Sequence, residues 1–441
     1  MKKLPIGIQT FSDIITDNYL YIDKTQRIYQ LITGGKIFFL SRPRRFGKSL
    51  LISTLEAIFK GRKELFKNLW IEKSDWVWDE HPVIRIDFAG LTLTTPQELK
   101  QALIARLFTI YEQYQIEITE RDDLKQVFTN LVTQLSNIKK VVLLVDEYDK
   151  PIIEHIDNPE AAKANREVIK QFYGCIKPLD EYLKFVFLTG VSKFSQVSIF
   201  SDLNSLQDIS MDAQYADLLG ITQDELESTC APYIEKLSEA QDLSLRDTYN
   251  KVKYWYNGFN FSQANIKVYN PFSSLLLFSK LVFRGYCFAT ATPTFLVKLI
   301  KKNTDDLTNL EQKLISEKSF TRFDIDNLNL LAILFQTGYL TIASYNEKME
   351  SYQLCYPNYE VKQAFLEELL ESFSYLRPQQ PSSDYIFQLI THLTAANLED
   401  FIDTLKVFFA NIPYSIQLKQ EKYYQSIFHT LFTLLGFKIQ A

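Results

Sequence analysis

The first half of this 441-residue chain predicts an α/β fold, a parallel sheet with helices on both faces, and the second half a mainly helical region. Two observations predict the first part and one the second. Short β-branched and aromatic runs alternate with longer helix-period stretches over the first two hundred residues, the order expected of a parallel sheet with crossover helices. Those runs are apolar throughout instead of alternating with polar residues, as strands buried on both faces are. From about Leu219 the helical period dominates.

Taken in order, residues 36–40 read as a buried strand and 49–59 as the amphipathic helix after it. A second strand at 83–87 leads to a helix at 96–114. A third strand at 141–145 leads to a helix at 161–176, and a fourth strand covers 185–188. Further on, helices are expected at 223–240 and 244–256. A helix at 328–336 ends near Gly338 and is followed by strand-like segments at 339–344 and 352–356, separated by a polar turn. Helix followed by hairpin predicts a winged-helix-like module, for which packing is favoured over DNA contact because no Arg/Lys stripe accompanies it. The segment PQQPSS at 378–383 is the best linker. The expected domains are therefore 1–218, 219–377 and a helical tail at 378–441.

Composition narrows the function classes. The chain has 13 glycines where average usage would give about thirty, so each glycine is more telling. With 46% hydrophobic and 23% charged residues it is not a disordered chain. A net charge of −5 excludes a general nucleic-acid coating protein. Cys175, Cys230, Cys287 and Cys355 lie far apart without a CxxC pair, so no zinc cluster is expected and the thiols are read as reduced. The N-terminus turns polar too soon for a signal peptide, and no apolar run nears the ~20 residues of a membrane span. A cytoplasmic protein with no membrane partner is expected.

The chemistry lies between the first strand and its helix, in Ser41-Arg-Pro-Arg-Arg-Phe-Gly-Lys-Ser49. A phosphate-binding loop needs a glycine for close backbone approach, N–H groups opening a helix, a lysine for the β/γ-phosphates and a hydroxyl for Mg²⁺. Gly47, Lys48 and Ser49 supply these, whereas Arg42 occupies the place of the usual first glycine and Pro43 lacks an N–H. The third strand ends in Asp146 and Glu147, where ligands of open parallel sheets bind. Asp146 can hold Mg²⁺ with Ser49, and Glu147 can orient or deprotonate water. Together these motifs predict an α/β P-loop NTPase. Arg45, Phe46, Gly47, Lys48, Ser49, Leu50 and Thr189 are the expected nucleotide contacts, Ser49 and Asp146 the Mg²⁺ ligands, and Glu147 the catalytic residue. At the fourth strand's tip, Thr189 or Ser192 can sense the γ-phosphate or can simply cap a turn. Lys193, Arg42, Arg44 and Arg45 can neutralise phosphate or be solvated.

These residues resemble the AAA-ATPase-like proteins often fused to a PD-(D/E)XK nuclease domain. The resemblance runs through Tyr21-Ile-Asp-Lys-Thr25, the loop 41–50, Val145-Asp-Glu-Tyr-Asp-Lys-Pro151, Leu188-Thr-Gly-Val-Ser192 and Phe200-Ser-Asp-Leu-Asn204. It continues in Tyr256-Asn-Gly258, Tyr269-Asn-Pro-Phe-Ser273, Thr337-Gly-Tyr-Leu-Thr341 and Pro357-Asn-Tyr-Glu-Val361. Arg42 is the family's own form of the loop. Several motifs have plain structural readings: a capping box from Asp23 to Gln26, an N-cap and proline at Asn270-Pro271, and a tight turn at Asn257-Gly258. Asp149 and Lys150 follow the carboxylate pair closely without an assigned role. In the family, a helix like 423–435 opens the nuclease domain, whose ligands come later than Ala441, so that core is expected to be absent. Glu360-Val361-Lys362 imitates a nuclease Glu-x-Lys but opens a helix and is rejected as one.

The expectation is an ATP-binding and hydrolysing protein whose nucleotide cycle shifts the helical half. The alternative is a nucleotide-gated switch or scaffold with little turnover. The resemblance implies mobile-element or defence roles on DNA, and a homo-oligomer is a possible assembly.

Overall fold

The computed structural model describes residues 1–91, 95–155, 158–193, 200, 203, 205–287, 296, 310, 313–321, 329–374, 382–410 and 421–437. Its first layer is a parallel sheet of β1 (Ile37–Ser41), β2 (Val83–Asp87), β3 (Val141–Asp146), β4 (Leu183–Gly190) and the short β5 (Gln207–Asp208). The spatial order is β2-β3-β4-β1-β5, so β4 lies between the strand that carries the phosphate loop and the strand that carries the two acids.

The period of two along each strand builds the layers. Val141, Leu143 and Val145 point into one apolar cluster, with Ile37 and Phe39, beneath the helices Pro96–Gln113, Leu124–Ser136 and Pro159–Tyr173. Val142 and Leu144 point the other way, with Phe38, Leu40, Phe185 and Phe187, against the helix Lys48–Phe59. Every residue of β1 and β3 is buried, which explains why neither shows polar alternation.

The second half contributes the small strands β6 (Phe259–Asn260) and β7 (Lys267–Val268). It also forms an antiparallel sheet of β8 (Leu314–Ser316), β9 (Thr341–Asn346) and β10 (Ser351–Cys355). The helix Leu330–Thr337 precedes β9, capped by Asn329 at its start and by left-handed Gly338 at its end. Helix and hairpin thus occur in the expected order, with β8 as a third strand. The apolar cluster that takes Val141, Leu143 and Val145 continues into Phe259, Phe261, Leu334, Tyr339 and Phe365, so both halves share one core. Near the C-terminus, helices Ser382–Thr394, Leu398–Ala410 and Glu421–Leu434 pack with Leu366 and Leu370 of the helix Tyr359–Ser374.

Three local expectations are corrected. The helix expected at 223–240 is two, Gln223–Thr229 and Ala231–Gln241, because Pro232 cannot continue a helix but suits the first turn of a new one. Asp23 forms no capping box: its carboxylate accepts from Thr25 N (2.8 Å), Thr25 Oγ1 (2.6 Å) and Trp70 N (2.7 Å). Gly258 is less a turn than a close approach, since a Cβ there would run into the Pro357 carbonyl. Glu360 opens the helix Tyr359–Ser374 as expected, and its carboxylate is buried against backbone amides. Residue 328, residues 378–381 of the linker, residues 201, 202 and 204, and residues 438 and 439 lie outside the described residues. Among the described residues no helix is long and apolar enough to cross a membrane.

Candidate nucleotide site

The phosphate loop joins β1 to the helix Lys48–Phe59. Gly47 stands at its N-cap with φ +90, and nothing lies within 4 Å of where its Cβ would be. The glycine therefore answers a left-handed backbone and leaves open space in front of a helix N-terminus, where unpaired N–H groups attract anions. Lys48 is 6% exposed, and its ammonium donates to the Arg42 and Pro43 carbonyls at 3.0 and 2.9 Å. Burial lowers its pKa, opposed by the charges of Asp146, Glu147 and Asp149. Lysine and acids thus share one electrostatic neighbourhood.

Asp146 ends β3 at 1% exposure. The neighbouring Ser49 hydroxyl pulls its pKa down against burial, and one of its oxygens accepts from the Glu147 N–H at 3.1 Å. Its Oδ2 is buried with no hydrogen-bond partner. A buried carboxylate oxygen without a donor is costly, and this one, beside a serine hydroxyl, has the hard-oxygen chemistry that suits Mg²⁺. The two expected ligands therefore fit the ion. Burial raises the Asp146 pKa, and Asp87, its register neighbour on β2, adds to the rise. Glu147 is half-buried with φ +52, a left-handed backbone that costs a non-glycine residue on the order of 1 kcal/mol or more. Its pKa is raised by burial, against the pull of Lys48.

The remaining expected contacts are placed less simply. Thr189 is fully buried and its hydroxyl donates to the Leu40 carbonyl at 2.9 Å, tying β4 to β1. Contact with a γ-phosphate would require that bond to break. The Arg45 guanidinium leaves the loop for the Tyr286 and Cys287 carbonyls, at 3.2 and 2.9 Å, and lies over the Phe272 ring. Only its backbone remains beside the phosphate position. Phe46 is buried edge-on against Phe259 and Phe261. Leu50, with Tyr21, Ile22, Gly47, Thr54 and Ile221, lines an apolar cavity of about 120 Å³ next to the loop.

For Arg42 and Lys193, neither phosphate neutralisation nor solvation describes what is found. Arg42 is 1% exposed and donates to the carbonyls of Ser41 (2.9 Å), Ser210 (2.6 Å) and Tyr215 (3.3 Å), with its guanidinium 4.3 Å from the Phe261 ring centroid. Lys193 is buried in an ion pair with Asp208 at 2.7 Å. Arg44 is exposed. Sequence reasoning left Asp149 unassigned, and it is a clamp: its carboxylate accepts from Val191 N (3.1 Å), Ser192 N (2.7 Å) and Ser192 Oγ (2.6 Å). Tyr148 adds a bond from its hydroxyl to the Ser192 carbonyl at 2.9 Å. Lys150 turns away to the Ala89 carbonyl. Gln336, missed altogether, accepts from the Lys193 N–H at 2.9 Å and brings the helix Leu330–Thr337 to the tip of β4.

Comparison with known proteins gives the family. Residues 5–200 match the model of a family described as predicted AAA-ATPase. A curated relative, an uncharacterized protein encoded in the vnfD 5' region of Azotobacter chroococcum mcd 1, is 40% identical over 451 residues, spanning 100% of this chain and 84% of the relative.

Proposed function

The chain belongs to the predicted AAA-ATPase family, and from that premise we propose that it binds ATP with Mg²⁺ at the phosphate loop and hydrolyses it. The observation that carries the reading is the meeting of Lys48, Ser49 and Asp146 at one helix N-terminus, with a buried Asp146 oxygen left without a donor.

In this reading Lys48 exchanges its two carbonyl partners for charge-assisted bonds to the β/γ-phosphates. The N–H groups from Arg45 to Leu50 cradle the phosphates. Ser49 and Asp146 hold Mg²⁺, which when bound neutralises charge on the phosphate oxygens. Glu147 takes a proton from the attacking water, a task favoured by a carboxylate of raised pKa. The apolar cavity beside Gly47 and Leu50 takes the base. The resemblance extends the proposal to a DNA-related task and a homo-oligomer, for which duplex binding with and without ATP, and light scattering, are the direct tests.

Nucleotide binding and phosphate release by the wild type, Lys48→Ala and Glu147→Gln test the site. Lys48→Ala is expected to lose binding, and Glu147→Gln to keep binding and lose turnover. Unchanged ATP affinity in Lys48→Ala overturns the assignment of the loop. Equal phosphate release by wild type and Glu147→Gln removes Glu147 from its role, and negligible wild-type release favours a nucleotide-gated switch.

A further inference from the structure

Three motifs far apart in the chain converge on Arg45. The first is the phosphate loop itself, where Arg45 holds φ +65. The second is Asn270-Pro-Phe-Ser273. Asn270 caps a helix through Phe272 N (2.9 Å) and Ser273 N (3.1 Å), which brings Phe272 under the Arg45 guanidinium, 4.4 Å from the ring centroid. The third is Pro357-Asn-Tyr-Glu360. The Glu360 carboxylate is 1% exposed and accepts from Ser273 Oγ (2.8 Å), Tyr286 N (2.5 Å) and Cys287 N (2.8 Å). The carbonyls of these same residues, Tyr286 and Cys287, receive the Arg45 guanidinium.

We propose that Glu360 is a positioning residue for nucleotide binding: it fixes the 286–287 segment, which fixes Arg45 and with it the backbone of the phosphate loop. This rests on the ATP-binding reading above. A non-glycine residue in the left-handed region persists only where its surroundings hold it, and here the holding groups belong to the second half. Two further contacts tie the same loop to that half. Phe46 packs on Phe259 and Phe261, and a Cβ on Gly338 would stand 2.8 Å from Pro43 Cγ. The helix that Glu360 opens carries Leu366 and Leu370 into the apolar cluster of the C-terminal helices. Movement of those helices is thereby linked to nucleotide affinity, and by reciprocity nucleotide binding is linked to them.

The experiment is a double-mutant cycle on binding of a fluorescent ATP analogue, with steady-state ATP turnover alongside, for wild type, Glu360→Ala, Arg45→Ala and the double variant. Glu360→Gln serves as the conservative variant, and circular dichroism establishes folding. Each single change is expected to weaken binding about tenfold, and the pair by little more than either alone, because they break one charge-assisted relay. KM for ATP should rise while kcat stays within about twofold, the reverse of Glu147→Gln. Glu360→Gln, which keeps an acceptor oxygen, should recover part of the affinity. Losses that multiply to about a hundredfold, or unchanged affinity in Glu360→Ala or Arg45→Ala, overturn the relay while leaving the ATP site standing. Failure of both Glu360 variants to fold leaves the Arg45→Ala arm decisive: unchanged affinity there overturns the relay, and a tenfold loss with kcat retained supports it. A wild type that binds no nucleotide overturns both proposals.

Discussion

Gly190 is the most exacting position near the site, and its substitution by alanine gives the sharpest prediction. Its φ is not in the left-handed region, so backbone strain is not the reason for glycine here. An added Cβ would collide with the Asp149 carboxylate and stand 2.6 and 2.7 Å from Tyr148 Cδ1 and Cε1. Both neighbours are fully engaged: Asp149 holds Val191 and Ser192, and the Tyr148 hydroxyl holds the Ser192 carbonyl. Neither is the free end of a flexible chain, since Asp149 is 1% exposed and Tyr148 is wholly buried. Overpacking of this kind costs about 1–3 kcal/mol, and weakening even one charged hydrogen bond adds about 1.5–3 kcal/mol. A loss of roughly 3–5 kcal/mol is a large share of the 5–15 kcal/mol typical of a domain. Urea denaturation followed by fluorescence and circular dichroism measures the loss, with phosphate release recorded on the protein that remains folded. Asp149→Ala breaks the same clamp, so its effect and that of Gly190→Ala should not add. A Gly190→Ala variant within about 0.5 kcal/mol of wild type, the range of neutral surface changes, would refute the clamp.

Two other glycines divide conformational from steric demand. At Gly258 the φ of +118 and the Pro357 carbonyl both oppose a side chain, so Gly258→Ala should cost about 3 kcal/mol or more. Gly47→Ala, with φ +90 and nothing nearby, should cost only about 1 kcal/mol in the free protein, measured by the same denaturation. Its heavier penalty should fall on ATP affinity, where the phosphates approach. The pH dependence of kcat follows from Glu147. Its pKa is raised by burial, so it keeps its proton to higher pH than an exposed glutamate, and the base form is lost sooner as pH falls. The acid limb should lie above the ordinary value of about 4.3, and it should vanish from the residual activity of Glu147→Gln. An acid limb at or below the ordinary value in saturating ATP counts against Glu147 as the base.

Much of this was legible because it depends on neighbours in sequence. The apolar runs of β1 and β3, the Gly47-Lys48-Ser49 turn into a helix and the Asp146-Glu147 strand end are local patterns with local causes. What escaped depends on pairing across the chain. The Gln336 carboxamide meets Lys193 N–H across 143 residues, and nothing around either residue announces the other. The donors to Glu360 are backbone amides at 286 and 287, which carry no side-chain signature. β5 is only Gln207–Asp208, too short for a pattern. The break between the two helices after Gln223 was readable, since Pro232 stood in the sequence.

The departure of the loop from the general phosphate-binding pattern has a physical account in the same terms. A glycine in place of Arg42 would loosen the chain between β1 and the helix, because glycine has the most backbone freedom to lose on folding. Arg42 instead spans from the loop to the carbonyls of Ser210 and Tyr215 and packs on Phe261. Burial pulls its pKa down from the usual arginine range, and Asp208 opposes that pull. The loop still needs left-handed backbone, and it takes it at Arg45 and Gly47. Gly47 meets that need by lacking a side chain, and Arg45 meets it by being anchored in the second half. A loop short of glycine is therefore shaped by its contacts, which makes its conformation answerable to residues more than two hundred positions away.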